Sequence, residues 1–83
     1  MQLKDLPDWP KRFGSLELSD PIVLRSAESS PLGHFAMLVI ESKGVQTFTL
    51  LEVGSVKIKK VLSVLNAHLG RPLHEIAQLE ISD

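Results

Sequence analysis

His34-Phe35-Ala36-Met37-Leu38-Val39-Ile40-Glu41, then Ser42-Lys43-Gly44, then Val45-Gln46-Thr47-Phe48-Thr49-Leu50-Leu51-Glu52-Val53, forms the most strongly patterned segment of the chain. Two runs rich in apolar and β-branched residues, joined by a short glycine-containing turn, predict an antiparallel hairpin. From Phe35 to Ile40 every residue is apolar. Successive strand side chains point to opposite faces, so both faces of the first strand are expected to leave water. In the second strand Phe48 and Leu50 share one face, while Val45, Thr47, Thr49, Leu51 and Val53 share the other. Neither face is plainly directed at solvent.

Toward the C-terminus the period changes. Ile58, Val61, Leu62, Leu65 and Leu69 fall at i, i+3, i+4, i+7 and i+11, a single apolar stripe, with Lys59, Lys60, Ser63 and Asn66 off it. Ser55 is a candidate N-cap, since its hydroxyl can accept an unpaired first-turn amide. Gly70 suits the left-handed residue that closes a helix, and Pro72 blocks continuation. One main helix is therefore expected over 56–69. A further helical turn is expected over Pro72 to Ala77, and a last strand where Leu79 and Ile81 alternate with Glu80 and Ser82.

Toward the N-terminus, Ser26 to Gly33 has the composition of a loop. Leu16 to Arg25 reads as one edge strand broken at Asp20-Pro21, with a tight hairpin at Ser19-Asp20-Pro21 as the alternative. Residues 1–14 carry Leu3, Leu6, Trp9 and Phe13 at near-helical spacing, but Pro7 and Pro10 argue for an irregular arm packed on the body. The sum is an α+β fold in two layers: a mostly antiparallel sheet of three to five strands, one main helix, and chain order β-β-β-α-β. All 83 residues are expected to form a single domain.

One helix covers one sheet face only. The second face of the Phe35 to Ile40 strand needs the Trp9 and Phe13 arm, strong curling of the sheet, or another molecule. Burying an apolar side chain is worth roughly 1.5–3 kcal/mol, so solvent exposure of several would take much of a small domain's stability. A homodimer contact is the expectation, with Trp9, Phe35, Met37 and Val39 as the candidate interaction surface.

Composition limits the function. The chain has 43% apolar and 23% charged residues, an ordinary globular balance, and no cysteine, which removes disulfides, thiolate zinc sites and thiol nucleophiles. Small secreted domains usually need such staples, so an intracellular, cytoplasmic protein is expected. No signal-peptide pattern opens the sequence, and the six-residue apolar run at Phe35 to Ile40 is far short of the ~20 residues of a membrane-spanning helix.

Net charge is −1, but Lys57, Lys59, Lys60 and Arg71 stand together without an acid between Val53 and His74. Lysines in a first helical turn oppose the helix dipole, and Gly54-Ser55 lead into free amides, an arrangement suited to an anion or a nucleic-acid backbone. A solvated face balancing the acidic tail explains the same residues. The glycine and lysine spacing of a nucleotide-binding loop is absent, and Phe13, Phe35 and Phe48 read as core, so among the aromatics only Trp9, followed by Lys11 and Arg12, sits with basic residues as a stacking aromatic would, a second weak basic patch.

His34, His68 and His74 lack the i, i+4 spacing of paired metal ligands, so neither metal nor other cofactor is expected. His68 suits the last helical turn, where an imidazole complements the negative dipole end. Ser29, Ser30, His34, His74 and Glu75 carry no assembled catalytic pattern, and no enzyme activity is expected. The leading reading is a small accessory or protein-interaction module that acts by binding, as a homodimer or with another protein. The alternative is nucleic-acid or anionic-ligand binding through the basic patch.

Overall fold

A computed structural model describes residues 1–14 and 21–82. Its centre is the expected hairpin, strand β2 (Phe35–Ser42) and strand β3 (Val45–Glu52), paired without interruption from Ser42↔Val45 to Phe35↔Glu52. Lys43 and Gly44 form the two-residue turn with φ of 53° and 78°. Two successive positive φ values match the twist of the flanking strands, and glycine takes the second at no steric cost.

Strand β1 (Val23–Ser29) pairs antiparallel with β2, giving, among the described residues, a three-stranded sheet in the order β1-β2-β3. Residues 15–20 lie outside the described residues, so the expected strand from Leu16 and the alternative hairpin are visible only from Pro21 onward. Where the expected loop began, at Ser26, the strand instead continues through Ser29. The exposed edge of β2 offers a ladder, and tertiary pairing overrides the loop-like composition of Ser-Ala-Glu-Ser. The register shifts between Leu24 and Ser26, so Arg25 sits in a bulge and Leu24 and Ala27 both reach the buried face.

Helix α2 (Ile58–Asn66) is shorter than the expected 56–69. Val56 is 90% exposed and gains nothing by helical packing, so Ser55 to Lys57 form a turn and no side chain caps the helix. At the other end the backbone loosens into turns over 67–70. Asn66 Nδ2 donates to the carbonyls of Leu62 and Ala27, at 2.9 and 3.0 Å, tying the helix end to β1. Gly70, with φ 88°, stops the segment as expected and donates its amide to the Leu24 carbonyl at 2.8 Å. Pro72 then opens the short helix α3 (Leu73–Ile76), also as expected.

The expected last strand is reduced to one bridge, Gln2↔Glu80. Leu3 N bonds Leu79 O at 3.0 Å and Ile81 N bonds Met1 O at 2.7 Å, so this segment pairs with the start of the chain and adds nothing to the sheet. The expected irregular arm is more ordered than its prolines suggested: a 3-10 turn (Leu3–Asp5) and helix α1 (Trp9–Phe13). Pro10 falls in the first turn of α1, where a missing amide breaks no intrahelical bond.

One buried cluster unites all of these elements. Leu3, Leu6, Trp9 and Phe13 of the arm join Leu24, Ala27, Ala36, Leu38 and Leu51 of the sheet and Ile58, Val61, Leu65, Leu73, Ile76 and Ile81. Every sheet residue in it belongs to the same face. The arm and the helices therefore share one side of the sheet, and the arm is excluded as cover for the other. No described helix is long and apolar enough to cross a membrane.

Candidate interaction surface

Alternation along β2 divides its apolar run in two. Ala36 and Leu38 are fully buried, whereas Phe35, Met37 and Val39 on the opposite face are half-buried and stand outside the core cluster. The register sets Met37 beside Leu50 and Val39 beside Phe48. Phe48 is 61% exposed and Leu50 39% exposed, so the outer face carries a contiguous apolar band across β2 and β3.

Two of the sequence expectations change places here. Trp9, expected on the interaction surface, is 3% exposed and packs edge-on against Phe13, ring centroids 4.8 Å apart. The short helix α1 turns both rings inward onto the core. Phe48, expected in the core, is the most exposed aromatic of the sheet band. The shared face of Phe48 and Leu50 was readable from their spacing, but which face meets the helices depends on the tertiary arrangement.

A polar border flanks the band. Arg25, aimed outward by the bulge, donates from Nη2 to Glu41 Oε2 at 3.0 Å, and Gln46 Nε2 donates to Glu41 Oε1 at 3.3 Å. These bonds, Arg25 first, hold the Glu41 carboxyl below its ordinary value. A lowered folded-state pKa contributes stability above the unfolded value, ~4.3, and loses it as pH falls through the folded one. Glu41→Gln is thus expected to flatten the acid limb of a pH series of urea midpoints, with a small effect because the pair is solvent-screened.

The third feature is the outer edge of β3. A two-residue hairpin closes on a hydrogen-bonded pair, here Ser42 and Val45, so Val45, Thr47, Thr49 and Leu51 exchange bonds with β2. The amides of Gln46, Phe48, Leu50 and Glu52 then point away from the sheet. Glu52 N is taken by Asp8 Oδ2 at 2.8 Å. Among the described residues, the backbone amides of Gln46, Phe48 and Leu50 have no hydrogen-bond partner beyond the sheet. The opposite edge is partly covered, since Leu24 N bonds Arg71 O and Leu73 N bonds Ile22 O, at 3.1 and 2.7 Å.

The candidate anion site is dispersed by the fold. Lys57, Lys59 and Lys60 gather at the start of α2, with Lys59 exposed. Lys60 Nζ donates to Ser82 O at 3.0 Å and Lys57 Nζ to Met1 Sδ at 2.8 Å. Arg71 lies beyond the other end of the helix, whose nine residues span ~13 Å. Gly54, which leads into the helix, donates its own amide to His34 O at 2.9 Å.

The histidines are separated as well. His34 lines a shallow cleft with Asp8 and Glu52, whereas His74 lines another with Lys4, Trp9 and Phe13. His68 Nδ1 donates to Val64 O at 2.8 Å in the last turn of the helical segment. Among the described residues no three histidine, aspartate or glutamate side chains converge as a metal-ligand set. Comparison of the chain with protein-family models, curated proteins and solved structures gave no match.

Proposed function

We propose that this chain is a small accessory module that works by binding protein, with no chemistry of its own, and that it self-associates in the cytoplasm. The observation that carries the reading is the outer sheet face, where Phe48 at 61% and Leu50 at 39% exposure adjoin Met37 and Val39. Large apolar side chains grouped on a flat face mark a contact site more often than isolated ones do. The cysteine-free composition supports the compartment.

The test replaces the band while sparing the core. Phe48→Lys/Leu50→Lys is expected to remain folded by circular dichroism and to elute as a monomer under light-scattering detection, where the unaltered chain elutes larger. Equal monomeric masses for both proteins would contradict self-association.

The alternative, an anionic or nucleic-acid ligand held by Lys57, Lys59, Lys60 and Arg71, requires four cations of which Lys57 and Lys60 are hydrogen-bonded within the chain and Arg71 stands beyond the far end of α2. Flow-through from heparin at low salt is expected. Retention that falls steeply with salt would favour the alternative.

A further inference from the structure

We propose that the open edge of β3 pairs antiparallel with β3 of a second copy, about a two-fold axis at Phe48, joining two three-stranded sheets into one. The inference rests on the binding reading above and names its partner and geometry. Exposed edge strands are normally protected by charge, proline or a bulge. From Val45 to Leu51 the edge has none of these: no charged residue, no proline, and an uninterrupted register with β2.

The available backbone fixes the register. Asp8 closes the edge at Glu52, which leaves Gln46, Phe48 and Leu50 with outward amides and carbonyls, and Phe48 is their midpoint. An antiparallel pairing centred there sets Phe48 against the second copy's Phe48, and Gln46 against its Leu50. All three residues then exchange bonds with their counterparts. On the outer face the two phenylalanines meet directly, and directly opposed aromatic pairs are favourable. On the inner face Thr47 falls opposite the second copy's Thr49, also a favourable pairing.

Charge selects a second copy in this orientation. The strand is bounded by Lys43 at its turn and Glu52 at its other end, with no charge between. Antiparallel self-pairing turns the Lys43 end of each strand toward the Glu52 end of the other, opposite signs at both ends of the contact, whereas parallel pairing would align like with like. The outer apolar bands of the two copies then become continuous. A contact of a few residues a side belongs to the small, weak class of interfaces, below about 1,200 Å², and predicts dissociation in the micromolar range.

The experiment is amide hydrogen exchange of the unaltered protein at low and high micromolar concentration, with its mass measured in parallel. Raising the concentration is expected to slow exchange at Gln46, Phe48 and Leu50 about tenfold or more, with no change at Glu52. Phe48→Pro removes an outward donor and leaves the bonds to β2 intact, so it is expected to stay folded and monomeric. A dimer in which the three amides exchange as fast as in the monomer would overturn edge pairing and leave self-association through the face standing. A monomer at every concentration would overturn both.

Discussion

Leu38→Ala is expected to lower the unfolding free energy by about 2–5 kcal/mol, the usual cost of truncating a fully buried leucine. Met37→Ala, one residue away, is expected to cost the isolated chain under about 1.5 kcal/mol. The two side chains differ in face and not in hydrophobic character: Leu38 is completely buried in the core, whereas Met37 is half-buried on the outer band. For 83 residues the total stability is about 4–12 kcal/mol, so Leu38→Ala consumes a large part of it. Urea titration at low micromolar concentration, where self-association contributes little, reads both values. Equal losses at the two positions would mean that the outer face is covered within the chain.

Trp9→Ala is expected to cost about 3–5 kcal/mol, the range for removing a large buried aromatic. Trp9 joins the arm to the rest of the core, and Phe13 leans on its ring. Helix α1 has five residues and cannot persist without such packing, because short helices are marginal on their own. The variant should therefore lose the arm as well as the ring. The Glu52 amide, held by Asp8 at the start of α1, is expected to lose hydrogen-exchange protection at the same time. Loss of no more than about 0.5 kcal/mol, as for a typical surface residue, would instead return Trp9 to the interaction surface for which it was a candidate.

How far the fold is legible in the sequence depends on how local each signal is. The β2-β3 hairpin is legible because alternation and a Lys-Gly turn agree over a short stretch. The stop at Gly70 and the turn after Pro72 are legible for the same reason. Strand β1 is less so: Ser26 to Ser29 extend because β2 is beside them, and nothing in their own composition says so. The helix shortens because Val56 and Leu69, apolar by type, find no core to enter.

The candidate surface follows the same rule. A doubly apolar strand announces a demand for cover on two faces, and Phe35, Met37 and Val39 could be named from it. Which aromatic is buried could not: Trp9 and Phe48 are both large and apolar, and only the packing of α1 and the register of β3 assign one to the core and one to the outer face. An open edge is equally invisible to sequence, because Gln46, Phe48 and Leu50 would look the same in a central strand. Pairing, not residue type, makes an edge.

If the outer sheet face with its open edge is a contact surface, sedimentation equilibrium of the unaltered protein across the micromolar range will show it. The mass is predicted to rise from the monomer's 9.2 kDa toward twice that value as concentration increases. A single species of 9.2 kDa up to high micromolar concentration would contradict it.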